Sequence, residues 1–210
     1  MHLYLIRHGE SFVNLPDWEG GIVDTPLTHL GHQQASQLAA WLPKTVPAID
    51  ALYTSTLQRA RETGAHLSEV YDCTLQENDR IREIGTNRLD HIPWPNDDLP
   101  PGFTIWGTEK PFIPVTALTE DQDESWMHFK LRVGAFIETL IDLHREHTVL
   151  VVCHGGVIDA VFDHIFNVGP WRRCEVWHDN TGVTYFEHID LPKRETWRLH
   201  YTNRREHLEP

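Results

Sequence analysis

Residues that can bind an anion follow three short apolar runs, each of which is typical of a strand buried in a sheet. Arg7 and His8 follow the first run, Arg59 lies about one helical turn beyond the second, and His154 follows the third. Because ligands of an open α/β sheet bind beyond the carboxyl ends of its strands, we expect these four side chains to meet there. Arginine forks and imidazole groups together favour a dianion such as phosphate.

Glycines beside both histidines indicate that the backbone also contributes. Gly9 follows His8, and Gly155 follows His154 at the start of a predicted helix. A residue without a Cβ lets backbone N–H groups approach a ligand, and a helix N-terminus attracts negative charge. We therefore expect the backbone and the side chains to bind the same phosphate.

The position of Arg59 near the N-terminus of its predicted helix is a second indication of an anion. The helix dipole disfavours a cation there by roughly 0.3–1 kcal/mol at an exposed site. A bound anion would reverse this effect. The alternative is an ordinary solvent-exposed arginine, for which the cost is small.

The elements that must position these residues are strands that alternate with amphipathic helices. Thr28 and Ser55 are the predicted caps of the first two helices, and Leu30 is expected on the buried face of the first. This alternation predicts an α/β fold: a three-layer α/β/α, doubly wound structure with a mostly parallel sheet. Apolar runs predict strands at residues 3–6, 51–54 and 149–153. Two segments of alternating pattern are predicted edge strands, near residues 183–189 and 196–201. Helical spacing predicts helices at residues 30–42, 57–71, 126–140 and 157–165.

Residues 90–124 interrupt this pattern. They hold six of the 13 prolines and eight acidic residues against a single Lys110. A stretch of this length without periodicity is typical of a lid or binding loop, and its aromatic residues, among them Trp94, Phe103 and Trp106, need burial or a ligand. We therefore predict one domain, residues 1–210, with an acidic, Pro/Trp-rich, lid-like insertion at residues 90–124.

Charge and composition exclude several classes of function. The 210 residues carry 18 basic and 31 acidic side chains, a net charge of −13. Such a chain repels phosphate backbones and anionic lipid, so neither nucleic acid nor membrane is an expected partner. The chain has no apolar run of the length that a signal peptide or a membrane span needs. Three cysteines do not suggest a disulfide framework and favour a reducing compartment, so we expect the protein in the cytoplasm.

Histidine is abundant, with 15 residues, so most single histidines carry no information. His144 and His147, like His29 and His32, have a spacing that could suit a metal pair. No third ligand is apparent for either pair, and we predict no metal.

The opening motif resembles the signature of a known family. Leu5-Ile6-Arg7-His8-Gly9-Glu10-Ser11, with Asn14, is similar to the signature of the histidine phosphatase superfamily, in the branch of cofactor-dependent phosphoglycerate mutases and their phosphatase relatives. Further blocks resemble the family in the same order along the chain. They lie at residues 24–35, 53–63, 82–85 and 124–133, and at the segment that ends in His154-Gly155-Gly156.

The resemblance implies a mechanism. His8 would be the nucleophile that forms a phosphohistidine, and Glu83 would protonate the leaving oxygen. The residues after Glu83 depart from the family pattern, which leaves Glu77 as a weaker alternative. The resemblance implies catalytic roles for Arg7, Arg59 and His154 as well, and no metal or other cofactor. Phosphate contacts are implied for Arg7, Asn14, Gly21, Ile22, Arg59, His154 and Gly155.

The fold alone does not select the activity. Mutases of the family carry a basic lid, whereas the corresponding insertion here is acidic, so we expect hydrolysis of a small phosphomonoester whose organic part is neutral, aromatic or cationic. The alternatives are mutase-type phosphoryl transfer and a non-catalytic module that binds a phospho-ligand or a protein. A homodimer stays open, since family members occur as monomers, dimers and larger assemblies.

Overall fold

One mixed sheet of six strands runs through the centre of the protein, in the order β3-β2-β4-β1-β5-β6. The computed structural model describes residues 1–18, 24–84, 124–169 and 174–209. β4 pairs in parallel with β1 and β2, and β2 pairs in parallel with β3, whereas β5 is antiparallel to both β1 and β6. The strands are β1 (His2–Arg7), β2 (Ala51–Ser55), β3 (Leu75–Asn78), β4 (Thr148–Cys153), β5 (Val183–Leu191) and β6 (Arg194–Arg204).

Helices cover both faces of the sheet. On one face, α1 and α2 pack on a core that includes Ile6, Leu52 and Val152. On the other, α3 and α4 pack on a larger core that includes Leu5 and Val151. The central strands are therefore buried on both sides, which explains their continuous apolar runs. The helices are α1 (His29–Trp41), α2 (Gln58–Tyr71), α3 (Trp126–Leu143) and α4 (Gly155–Ile165).

The three-layer α/β prediction is confirmed, but several details of it were wrong. β3 was missed because it is short and largely polar, and it is a strand only because it pairs with β2. β5, predicted as an edge strand, lies between β1 and β6. Leu30, predicted on the buried face of α1, is 47% exposed, because the buried side of that helix is formed by Gly31, Ala35 and Leu38.

The predicted insertion lies outside the described residues, except for its last member. Glu124 precedes α3, is fully buried and pairs with Arg132 at 2.6 Å. This carboxylate is therefore part of the packed domain. Among the described residues, no helix is long and apolar enough to cross a membrane.

Candidate active site

The carboxyl ends of β1 and β4 and the first turn of α2 surround a cavity of about 510 Å³. Arg7 and His8 line it from the end of β1, and Arg59 lines it from α2. His154, directly after β4, is fully buried behind this surface, and its ring centroid lies 5.1 Å from that of His8. The tertiary structure thus gathers the four residues that follow the apolar runs.

The His8 side chain is held in a single orientation at the end of β1. Its Nδ1 lies 2.6 Å from the carbonyl oxygen of Gly9, which can only accept, so Nδ1 carries the proton,. Its Nε2 therefore carries no proton, and its lone pair accepts a hydrogen bond from Nε of Arg59 at 3.1 Å. Burial and the positive charges of Arg59 and Arg7 keep the pKa of His8 well below its ordinary value,. The imidazole is thus neutral and its Nε2 can act as a nucleophile.

Arg59 is a buried cation and Arg7 is a half-buried one. Arg59 is 3% exposed, which rules out the alternative of a solvent-exposed side chain. Burial lowers its pKa to about 10, so it stays charged at neutral pH,. Arg7 donates from Nη1 to the carbonyl oxygen of His178, while its buried Nε has no hydrogen-bond partner among the described residues. A buried donor without a partner is costly unless a ligand satisfies it, and an oxyanion would do so.

The His154 ring is fixed by Ser55, a residue for which the sequence predicted a different role. Ser55, the predicted cap of α2, has its Oγ 2.8 Å from Nε2 of His154. The prediction was wrong because β2 continues through Ser55 and α2 begins only at Gln58. The first amide of that helix instead donates to the Asp24 carboxylate at 2.6 Å.

His154 is also neutral, and one of its ring nitrogens has no partner among the described residues. Burial and the charge of Arg59 hold the pKa of His154 well below its ordinary value,. Nδ1 is buried without a partner in the described part of the chain. If Ser55, whose Oγ accepts from the Leu57 amide at 3.2 Å, donates its proton to Nε2, then Nδ1 of His154 carries an N–H,.

Glu83 lies in the cavity wall at the N-terminus of α4. Its Oε2 accepts from the Gly156 amide at 3.1 Å, and its Oε1 accepts from the amide of Ile84 at 3.0 Å. A Cβ at position 156 would lie 2.3 Å from Oε1, so only glycine allows this approach. Glu77, the alternative acid, lies on β3, does not line the cavity, and approaches Arg61 at 3.9 Å.

Asn14 and Gly155 also line the cavity, whereas Gly21 and Ile22 lie outside the described residues. The Asn14 Oδ1 accepts from the amide and the hydroxyl of Ser11, both at 3.0 Å, so these bonds occupy the oxygen and not the nitrogen of its side-chain amide,. This arrangement leaves the Asn14 NH₂ as a donor for a ligand.

Three supporting residues were not among the predicted catalytic or phosphate-binding residues. Thr63 accepts from the Gly9 amide at 3.0 Å and donates to the Arg59 carbonyl at 2.8 Å, so it joins β1 to α2. Asn180 donates to the His8 carbonyl at 2.9 Å. Ser55 completes the set. Thr63 and Ser55 lie in the block at residues 53–63 that resembles the family, and Thr63 also lies one helical turn after Arg59,.

Metal binding has no support in the described ranges, where no three His, Cys, Asp or Glu side chains converge as a ligand set. His144 and His147 contact each other through their Nδ1 atoms at 3.1 Å. His32 contacts His66 at 3.4 Å. These histidines therefore interact in surface pairs on the described part of the molecule.

Comparison with known proteins gives a family match over almost the whole chain. The model of the histidine phosphatase superfamily (branch 1) matches residues 3–204. A Hydrogenobacter thermophilus protein provisionally named phosphoserine phosphatase 2 is 28% identical over 184 residues, with 87% of each chain covered. An Escherichia coli protein provisionally named phosphoglycerate mutase GpmB is 29% identical over 192 residues, with 88% of this chain and 83% of the relative covered.

Solved structures share the fold. A variant of Entamoeba histolytica phosphoserine phosphatase in complex with phosphoserine superposes with a TM-score of 0.72, at 24% identity, over 99% of this chain and 98% of its own. Mycobacterial glucosyl-3-phosphoglycerate phosphatase with VO3 superposes with a TM-score of 0.70, at 23% identity, over 96% and 98%. At this identity the likeness supports the three-layer architecture.

Proposed function

We propose that this chain, which belongs to the histidine phosphatase superfamily, hydrolyses small phosphomonoesters through a phosphohistidine formed on His8. The observation that carries the proposal is the state of His8. Its Nδ1 donates its proton to a carbonyl oxygen, its Nε2 carries no proton, and the buried Arg59 and half-buried Arg7 lie beside it. A neutral nucleophile among fixed cations suits attack on a phosphoryl group.

In the first step, Nε2 of His8 attacks phosphorus and the bond from phosphorus to the ester oxygen breaks. The electron pair of that bond goes to the leaving oxygen, which takes a proton from the carboxylic acid of Glu83. Arg59, which donates to Nε2 in this structure, would donate instead to the phosphoryl oxygens. The buried Nε of Arg7 and Nδ1 of His154 are further donors for the charge of the transition state,.

In the second step, water attacks the phosphohistidine. Its proton goes to the Glu83 carboxylate, the bond from phosphorus to nitrogen breaks, and its electron pair returns to Nε2 of His8. Inorganic phosphate leaves, and Glu83 is again protonated for the next cycle. The proton that Glu83 loses in the first step is thus replaced by one from the attacking water, and the steps as proposed involve no metal or other cofactor.

The mouth of the cavity supports a substrate whose organic part is not strongly anionic. Trp18 and Trp177 line the cavity and are 38% and 69% exposed, and the acidic Glu175 lies beside them. Among the described lining residues, Arg7 and Arg59 are the two arginines, and no lysine is present. Both lie next to His8, so a single phosphoryl group can occupy them. We therefore propose a neutral, aromatic or cationic leaving group.

The expected cellular setting is the cytoplasm. Cys73, Cys153 and Cys174 are all free thiols, and Cys174 is exposed. Free exposed thiols suit a reducing compartment, which supports this part of the proposal.

The test is hydrolysis of para-nitrophenyl phosphate with excess chelator by the wild type and His8→Ala. We expect turnover in the wild type and a loss of at least about 1,000-fold in the variant, because the covalent route is removed. Rapid acid-labile labelling of the wild type by ³²P-labelled substrate would demonstrate the phosphohistidine. Turnover that survives in His8→Ala would contradict the mechanism. Preferred transfer between phosphoglycerates in the presence of a bisphosphate would favour the mutase alternative, and no turnover by folded protein would favour a binding module.

A further inference from the structure

We propose that Arg132, a residue of α3 that does not line the cavity, is a positioning residue that fixes the backbone of Glu83 for proton transfer. This inference rests on the proposed function, because it assigns Glu83 the role of proton donor. Arg132 is 5% exposed and acts through main-chain contacts to the segment that ends in Glu83. The buried hydrogen bonds of Arg132 are the observation that carries it.

The Arg132 guanidinium uses all three of its nitrogens. Its Nε and Nη2 bind the two carboxylate oxygens of Glu124 at 2.6 and 2.9 Å. Its Nη1 donates to the carbonyl oxygens of Arg80 and Arg82 at 2.6 and 2.8 Å. Its Nη2 donates also to the carbonyl oxygen of Glu83 at 3.1 Å. The five N–H groups of the side chain therefore match five acceptors.

This pattern has a direct consequence for the backbone that precedes the proton donor. The carbonyls of Arg80, Arg82 and Glu83 all point at one planar cation, so the chain is fixed at three points within four residues. Glu124 holds that cation from the opposite side and is itself fully buried. A lysine has three donors around a point charge and cannot reproduce the planar fork.

The Glu83 side chain is fixed independently, at the other end. Its Oε2 binds the Gly156 amide at the N-terminus of α4. A shift of the Glu83 backbone by about 1 Å would move the carboxylate off this amide and away from the leaving oxygen, and misplacement of this size can cost roughly 100-fold in rate. Arg132 on α3 thus holds the backbone of Glu83, and Gly156 on α4 holds its carboxylate.

The experiment compares Arg132→Lys with the wild type on two substrates. A nitrophenolate leaves without a proton, whereas the alkoxide of benzyl phosphate needs one, so only the second reaction depends on the acid. The value of kcat/KM reports the steps up to release of the alcohol. We expect Arg132→Lys to lower kcat/KM roughly 100-fold for benzyl phosphate, and less than about threefold for para-nitrophenyl phosphate, where the proton contributes little.

Two further variants give the comparison its meaning. Glu83→Gln removes the acid. The double variant with Arg132→Lys should lose little more kcat/KM than Glu83→Gln alone, because both changes disable the same proton transfer. Leu140→Ala, on the same helix and 1% exposed, is the structural control. It should lower the melting temperature and leave the ratio of the two kcat/KM values unchanged.

Each outcome has a distinct meaning. The inference is supported if Glu83→Gln and Arg132→Lys both lower kcat/KM for benzyl phosphate much more than for para-nitrophenyl phosphate, and if their effects are not additive. Selective loss in Glu83→Gln but an equal loss on both substrates in Arg132→Lys overturns the positioning role and leaves the proposed function standing. No selectivity in Glu83→Gln overturns the assignment of the acid, and the role of Arg132 with it. Should Arg132→Lys fail to fold, Glu124→Gln, which weakens the support of the guanidinium, is judged by the same ratio.

Discussion

Nε of Arg59 donates a hydrogen bond to Nε2 of His8 at 3.1 Å, so a buried cation lies against the nitrogen that would attack phosphorus. The contact joins α2 to the end of β1, across 51 residues of sequence. It has two effects. It disfavours a second proton on the imidazole, and it places a guanidinium where the phosphoryl oxygens of a substrate must lie.

The first prediction concerns the pH dependence of turnover. Burial, Arg59 and Arg7 lower the pKa of His8 well below the ordinary value of about 6.5,. His8 therefore stays neutral as the pH falls through about 6.5. The decrease of kcat/KM at acid pH that protonation of His8 causes, the acid limb, should lie below about pH 6.5. Arg59→Gln removes one of the positive charges and should move this limb to higher pH. Two substrates with different phosphate pKa values separate the titration of the enzyme from that of the substrate. A wild-type limb near 6.5 that Arg59→Gln leaves in place would contradict the assignment.

The second prediction concerns Gly156. In Gly156→Ala the new Cβ would lie 2.3 Å from Oε1 of Glu83, so the carboxylate must move. We expect kcat/KM for benzyl phosphate to fall by roughly 100-fold, at the lower end of what a general acid contributes. Gly155→Ala is the matched comparison, because its Cβ would meet Arg7 Nε at an ordinary 3.9 Å. It should cost less and should not alter the dependence on leaving group; equal losses in the two variants would argue against the steric explanation.

A third prediction concerns Ser55, whose hydroxyl is the partner of His154 Nε2. Ser55→Ala leaves a buried ring nitrogen unsatisfied and should lower the free energy of unfolding by about 1–3 kcal/mol. It should also weaken inhibition by inorganic phosphate, because the His154 ring loses its fixed orientation. Thr139→Ala removes a hydroxyl on an exposed part of α3 and is the control. Denaturant unfolding and phosphate titration measure the two effects, and an unchanged inhibition constant would refute the orienting role.

The fourth prediction is a pH dependence of stability centred on His207. Burial lowers its pKa to about 4, with its Nε2 held by the Thr181 hydroxyl at 2.8 Å. Below pH 6.5 the unfolded chain gains a proton that the folded chain does not, so stability falls between pH 6.5 and pH 4. The contribution of His207 is on the order of 3 kcal/mol over that window. His207→Gln should lose less stability than the wild type between pH 7 and pH 5, as measured by urea unfolding; identical losses would contradict the assignment.

A fifth prediction concerns the leaving group. Trp177 is 69% exposed at the cavity mouth, and its Nε1 donates to Asp179 at 3.2 Å, which orients the ring. If the ring stacks on the organic part of the substrate, Trp177→Ala should raise KM for benzyl phosphate by roughly fivefold, the middle of the range for one aromatic pair. KM for ethyl phosphate should change little. Equal changes for the two alkyl phosphates would remove the support for an aromatic contact.

Local patterns were sufficient for most of the architecture. The apolar runs around Leu5, Leu52 and Val151 are continuous because both faces of these strands are covered, and such runs distinguish a central strand from an edge strand. β3 has no such run, since its residues are mostly polar and its pairing with β2 alone makes it a strand. The start of α2 was misjudged for a related reason, because its first amide is bound by the carboxylate of Asp24, which lies 34 residues away in sequence.

For the candidate site, the sequence by itself determined which residue types follow which strands, and this placed Arg7, His8 and His154 at one edge of the sheet. The burial of the central strands on both faces is visible in their continuous apolar runs. Only the tertiary structure decided the contacts among side chains from different elements. Arg59 against His8, Ser55 against His154, and Arg132 against the backbone of Glu83 join segments that are 49 to 99 residues apart. Such contacts depend on distances of a few tenths of an ångström in a packed interior, for which the order of residues along the chain carries no local signal.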